Sequence, residues 1–311
     1  MTTLSDGLTT EMNRNRRYAG RLLEDSLRCP ECSTAVKLDG DAALCAEGHR
    51  FDVVDGVAVL VGEAMLAGSP QYASQRRYFD SEFAGYARYE LEAWRRSYLD
   101  RLRAAGVLAG GPLVDVGVGG SGYTVIEAAR AGAPAAGCDL SLEGLRTARG
   151  FAVTEHVVDR TLWVCCSAER LPFASGSFAG AVAIAVFEHV PDDGAAFAEL
   201  ARVLRPGGRA WVTVPHALAQ ISPIFRGANR RHDRRLGHLR RYEAEQLVAA
   251  GRAVGLRSVE VQYTGHAVKV LQLLTARLGE RVWWLWERRD LRRAGVSRGA
   301  MQLSALFEKD A

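Results

Sequence analysis

Cys29-Pro30-Glu31-Cys32 is followed by Cys45 and His49, a C-x2-C-x12-C-x3-H pattern. Thiolates and a neutral imidazole are the ligands that tetrahedral Zn²⁺ prefers, and two closely spaced pairs on facing turns close such a site. Four protein ligands leave no open position, so the zinc expected here is structural. A second chemical feature lies further along the chain. Gly117-Val118-Gly119-Gly120-Ser121-Gly122 fits G-x-G-x-x-G, between an apolar run and a helical stretch. Glycines there let the backbone approach a ligand, and the following helix N-terminus presents free N–H groups. Asp139 ends the next apolar run, where a carboxylate can accept hydrogen bonds from ribose hydroxyls. Asp115, two residues before the first glycine, favours a ligand with an ammonium group over one with a pyrophosphate, which an inward carboxylate would repel.

Histidine is the usual proton acceptor near neutral pH. His189 in Glu188-His189-Val190-Pro191, His216 after an apolar run, and His238 in an arginine-rich stretch are the candidates for a catalytic base. His232 and His266 are further ones. A hydrogen-bonded loop histidine is the plain alternative for each.

These residues need elements to hold them. From Gln71 to about Ala105, Phe79, Phe83, Tyr86, Leu91, Trp94, Tyr98 and Leu102 recur mostly at helical spacing, which predicts one long helix ended by Gly106. From Leu113 onward, the apolar runs 113–117, 135–140, 161–166, 181–187 and 209–215 alternate with Ala-, Glu-, Leu- and Arg-rich stretches. That alternation predicts a parallel sheet covered on both faces, a doubly wound, Rossmann-like α/β fold. Residues 256–263 and 301–308 supply two more strands, for seven in all, the last antiparallel. Residues 216–242 read as a polar, arginine-rich loop and 265–298 as a helical insertion. Long connections at the carboxyl ends of strands are where substrates usually sit.

With these elements in place, the chain resembles class I S-adenosylmethionine-dependent methyltransferases. LVDVGVGGSGYT resembles their first motif, GCDLSLEGLRTAR their second strand and its helix, and SAERLPFASGSF their adenine loop. FEHVPD resembles the end of the fourth strand, and ELARVLRPGGRAWVTVP the turn into the fifth. The resemblance implies that Asp115, Gly117 and Gly119, with Gly122, cradle the methionine end of the cofactor. It places Asp139 at the ribose, Leu140 beside the adenine, and Ser167, Ala168 and Glu169 along the adenine edge. Tyr78, Phe79 and Tyr86 resemble the aromatic lid of related enzymes. Ser121 stands where glycine is frequent, and Ser167 where the family usually has aspartate, so that contact lacks charge assistance. Residues 29–61 resemble the N-terminal zinc ribbon of bacterial large-subunit rRNA guanine-N1 methyltransferases.

The division expected is a loosely ordered tail at 1–27, a zinc ribbon at 28–62, and a methyltransferase domain at 71–311. Within the last, 71–106 form a helical lid, and 216–242 and 265–298 are substrate-side insertions. The 311 residues carry a net charge of +4, and only three of the 40 basic residues are lysine. The start is polar, and the longest uncharged apolar run, 179–187, is too short to span a bilayer. A cytoplasmic enzyme with no membrane span is therefore expected. Its expected acceptor is an oxygen, rather than a nitrogen, of a small molecule such as a secondary metabolite, sugar or glycolipid precursor. The ribbon and the arginines keep open a second reading, an rRNA or tRNA base methyltransferase with RNA as partner. A third is a non-catalytic cofactor-binding scaffold.

Overall fold

The computed structural model describes residues 20–62, 69–109 and 111–310. Most of the expected tail lies outside the described residues, as do Ala67 and Gly68 of the expected 67–70 linker. After helical residues 20–25 come four short strands: β1 (Val36–Asp39), β2 (Ala42–Cys45), β3 (Arg50–Val54) and β4 (Val57–Val59). Helix α1 (Pro70–Phe83) opens with proline at its first turn, and the Ser69 side chain accepts from the Tyr72 N–H. Helix α2 is Ala93–Ala104. The single long helix expected over 71–105 is therefore two helices. The break falls just after Phe83, which seats against the glycine loop so closely that a Cβ at Gly120 would lie 2.7 Å from the Phe83 Cβ.

The alternating part follows: β5 (Leu113–Val116), α3 (Tyr123–Arg130), β6 (Ala135–Asp139), α4 (Leu142–Thr154), β7 (Thr161–Cys165), β8 (Phe178–Ile184), α5 (Asp193–Val203) and β9 (Leu204–Pro215). Then come α6 (Pro223–Leu236), α7 (Ala244–Ala253), β10 (Leu256–Thr264), α8 (Val268–Leu274), α9 (Glu280–Leu291) and β11 (Gln302–Lys309). Side chains alternate across a strand, so neighbouring residues serve opposite cores. In β8, Ala181 and Ala183 pack with Phe197, Leu200 and Leu247 of α5 and α7. Val182 between them packs with Val125, Ile126 and Ala129 of α3 and Leu145 and Ala148 of α4. Both faces are covered, as a parallel sheet of near-continuous apolar strands requires.

The strands run in the order β1-β2-β3-β4-β7-β6-β5-β8-β9-β11-β10, with β5 to β9 mutually parallel and β11 antiparallel to both of its neighbours. The sheet thus has eleven strands, not the expected seven. β1 to β4 form an antiparallel meander, and β4 then pairs in parallel with β7, setting Ala58 beside Val164 and Val59 beside Cys165. Val57 and Ala58 are fully buried there, so this join covers backbone groups that would otherwise be an open sheet edge. A second difference concerns residues 223–236. Expected as loop, they form helix α6, with proline in its first turn and Gly237 left-handed at its end. Among the described residues, no helix is long and apolar enough to cross a membrane.

Candidate functional site

The sheet order reverses at β5, with β6 on one side and β8 on the other, and a crevice opens beyond the carboxyl ends of these strands, where open α/β sheets bind ligands. A cavity of about 210 Å³ lies there. Gly117 leaves β5 with φ +73°, and a Cβ there would come within 2.3 Å of Val186, so only glycine fits the turn. Gly122 starts α3 with φ +58°, and a Cβ on it would strike Trp163 at 2.7 Å. The loop is thereby locked onto the second core.

Asp139, at the end of β6, accepts from the Gly119 N–H on Oδ2 and the Ser141 N–H on Oδ1, both at 2.9 Å. Each oxygen keeps a further lone pair for hydroxyls, which fits the ribose of a nucleoside cofactor. Burial raises the Asp139 pKa above the usual carboxylate value, against the pull of these N–H groups. Leu140, Ser167 and Ala168 also line the cavity, and the Tyr72 hydroxyl lies 3.2 Å from Ser167 Oγ. Glu169 does not line it; its carboxylate accepts from the Asp192 N–H at 2.7 Å. Asp115 is not on the wall either. It is buried behind the loop and accepts from the Thr124 hydroxyl, and burial raises its pKa to about 7, helped by the Asp139 charge.

Helix α1 closes the cavity with one face. Tyr72, Gln75, Arg76, Phe79 and Phe83 follow at three- and four-residue spacing and all line it. Tyr78 and Tyr86 are not on the wall. Tyr78 packs edge-on to Phe79, and Tyr86 lies partly exposed against Phe83 and Arg95. Tyr72, Gln75, Arg76 and Phe83 are among the wall residues that the sequence reading did not assign to the site; helical spacing from Phe79 is the signal that finds them.

On the opposite wall, Ala185 takes a left-handed conformation at φ +57°, uncommon for a residue with a Cβ, and turns the chain from β8 toward Glu188 and His189. His189 stacks edge-on with Phe79 at 5.4 Å and His238 at 4.7 Å. Gln75 Nε2 donates to the His189 carbonyl at 2.8 Å. Burial lowers the His189 pKa to about 4, aided by His238 and His232, and raises that of Glu188 to about 8. His238 Nδ1 bonds Asp233 at 2.8 Å, and Asp233 is itself gripped by Arg241. His189 and His238 are thus brought together. His216 is not: it is buried beyond the end of β9, 3.2 Å from the Ala300 carbonyl and beside Tyr263. His266 is buried between Asp290 and the Val296 carbonyl.

At the far edge of the sheet, one donor atom each from Cys29, Cys32, Cys45 and His49 lies within 4.8 Å of the others. The contacts include Cys45 Sγ to His49 Nδ1 at 3.4 Å, Cys29 Sγ to the same nitrogen at 3.6 Å, and Cys32 to Cys45 at 3.7 Å. Bonds of about 2.3 Å to sulfur and about 2.1 Å to nitrogen give a tetrahedron with edges of about 3.6 Å, so the donor set fits Zn²⁺. Burial opposes ionisation of the Cys45 thiol, but the His49 N–H and contacts from Thr34 and His49 outweigh it and bring the pKa down to about 6.

Residues 114–212 match the model of a methyltransferase domain family. The chain is 38% identical over 103 residues to the methyltransferase GfsG of Streptomyces halstedii, covering 33% of this chain and 37% of that protein. It is 36% identical over 129 residues to a ubiquinone biosynthesis O-methyltransferase of Ralstonia nicotianae, covering 39% and 50%. The chain spans about half the length of the curated relatives it matches. The geranyl diphosphate C-methyltransferase of Streptomyces coelicolor A3(2), solved with Mg²⁺, a thiolodiphosphate analogue and S-adenosyl-L-homocysteine, superposes with a TM-score of 0.57. Its sequence identity is 15%, over 78% of this chain and 98% of that one. Residues 114–212 thus match a methyltransferase domain family, on a Rossmann-like α/β sheet similar to that of a solved methyltransferase.

Proposed function

We propose that the protein transfers a methyl group from S-adenosylmethionine to an oxygen of a small organic molecule. The observation that carries this reading is the cavity itself, with Asp139 and the small residues Gly117 and Ala168 on its walls and the α1 aromatics Tyr72, Phe79 and Phe83 along one side. Relatives named as O-methyltransferases of ubiquinone biosynthesis and as the 27-O-demethylrifamycin SV methyltransferase support an oxygen acceptor.

When bound, the cofactor would supply an electrophilic methyl on a sulfonium, whose sulfur would leave with the C–S electron pair as the acceptor oxygen bonds to the methyl carbon. The chain's own part is positioning, worth roughly 7–11 kcal/mol in favourable cases. Asp139 holds the ribose, Leu140 and Ala168 flank the adenine, and Ser167 accepts from its amino group. Phe79 and Phe83 exclude water. An acceptor hydroxyl would also lose a proton; His189 lines the cavity and His238 stacks edge-on against it at 4.7 Å. The Cys29, Cys32, Cys45 and His49 set holds a structural zinc.

Calorimetric titration with S-adenosylhomocysteine tests the assignment. Removing a carboxylate that receives charge-assisted hydrogen bonds costs roughly 1.5–3 kcal/mol, so Asp139→Ala weakens binding by about 10- to 150-fold. Unchanged affinity refutes the ribose role, and tight binding of NAD in place of S-adenosylhomocysteine refutes the whole reading.

A further inference from the structure

Glu188, His189 and His238 form a second convergent group, separate from the four residues of the ribbon. One donor atom from each lies within 4.8 Å of the other two. Two of these side chains are buried without satisfaction. Glu188 is 1% exposed and its Oε2 has no hydrogen-bond partner among the described residues; His189 is 7% exposed and its Nδ1 has none among them either. Leaving such a group unpaired costs about 1–3 kcal/mol, and more for a charge. With a donor atom of each within 4.8 Å of the other, two such groups call for a partner that the described residues do not provide.

The third member is already oriented. His238 donates its Nδ1 proton to Asp233 Oδ1 at 2.8 Å, and Arg241 fixes that carboxylate through Nε at 2.8 Å and Nη2 at 2.7 Å. A carboxylate that claims one ring nitrogen leaves the other as a bare lone pair, the arrangement found behind metal-binding histidines. The three residues come from the turn after β8 and the segment after α6, so folding alone brings them together.

We propose that Glu188, His189 and His238 bind a divalent transition-metal ion at the wall of the methyl-transfer cavity. Two imidazoles and one carboxylate, with no thiolate, suit Zn²⁺, Fe²⁺, Mn²⁺ or Co²⁺; Ca²⁺ and Mg²⁺ favour oxygen ligands alone. Three protein ligands leave coordination positions open. His189 itself lines the cavity, so those positions belong to the acceptor. The matching acceptor class is a small molecule with two adjacent oxygens, one chelated beside the other. Only this last point rests on the methyl-transfer reading; metal binding stands on the three residues alone.

The test uses the full chain with its ribbon loaded with zinc. Co²⁺ and Mn²⁺ are titrated in, with metal per chain measured after gel filtration and melting temperature followed in parallel. A ligand held only by the folded state raises the melting temperature. The expected result is one metal per chain beyond the ribbon's, with weak visible Co²⁺ bands of nitrogen and oxygen ligation. Glu188→Gln and His238→Ala each lose that metal and the thermal gain. Glu188→Gln keeps the side chain's shape, and unchanged S-adenosylhomocysteine binding by both variants shows that their fold is intact. No additional metal in the parent, or an additional metal held equally by both variants, overturns the proposal. Loss of S-adenosylhomocysteine binding by the parent would instead sink the methyl-transfer reading and leave the metal result to stand by itself.

Discussion

Asp115 and Asp139 end neighbouring strands of one motif, yet they sit in different chemical surroundings. Asp139 has two backbone N–H donors and faces the cavity; Asp115 has the Thr124 hydroxyl alone and is enclosed. Burial, with Asp139 nearby, lifts the Asp115 pKa from 3.8 to about 7. The sign follows from linkage: an acid whose folded pKa is raised holds its proton more tightly in the folded state. Its contribution is therefore greatest below about pH 4 and is lost as pH rises toward about 7, by at most about 4 kcal/mol. Asp115→Asn removes that dependence while its amide oxygen still accepts from Thr124. Urea unfolding of both proteins without cofactor, across that window, should show the parent losing stability relative to the variant as pH rises. A constant difference between the two curves rules this out. At the same scale, Asp139 and the glycines were legible because each answers a local demand of spacing or backbone. Tyr72 was less so: its helical spacing from Phe79 puts it on the same face of α1, but its contact with Ser167 joins segments far apart in sequence.

Among the elements, strands β5 to β11 were readable from their runs in the sequence, and all but the partly exposed β10 are mostly buried. Helix α6 was missed for the opposite reason. Its face carries no apolar period, only four exposed arginines at 230, 231, 234 and 235, although Ser222-Pro223 and Gly237 mark its two ends. The pairing of β4 with β7 was also hidden, because an edge-to-edge contact between segments far apart in sequence leaves no period behind. That pairing has a consequence. The β1–β4 meander is a small unit whose own core is thin, and its four candidate ligands lie at its turns. Metal binding and folding are coupled in such units. Elemental analysis of the purified chain should find one structural zinc with Cys29 and Cys45 intact. Chelation, or Cys45→Ser, should expose residues 28–62 to proteolysis and hydrogen exchange, and open the β7 edge with them. Equal protection with and without zinc would show that the sheet, rather than the metal, holds the meander.

Over the whole molecule, the net charge is +4, but the arginines of residues 226–241 are unevenly used. Arg241 is buried against Asp233, Arg240 caps the carbonyls of Phe187, Val190 and Pro191, and Arg226 bonds the carbonyls of Ala219 and Ile221. Arg240 thus braces the segment around His189, and Arg241, through Asp233, braces His238. The four on the outer face of α6 are exposed, and they separate a small-acceptor enzyme from an RNA enzyme. A protein gripping single-stranded RNA through many phosphates loses affinity with salt at about 0.7 log units per log unit for each contact. A helix that meets one anionic group of a small acceptor gives a slope of about one or less. The measurement is binding to fragmented total RNA over a salt series, with Arg230→Ala/Arg231→Ala/Arg234→Ala in parallel. The small-acceptor reading expects no binding steeper than that limit, and expects the triple variant to keep S-adenosylhomocysteine affinity while losing methylation of a small-molecule extract. Tight RNA binding with a slope of several, collapsing in the triple variant, would instead make α6 an RNA-binding helix and the cavity a pocket for a base.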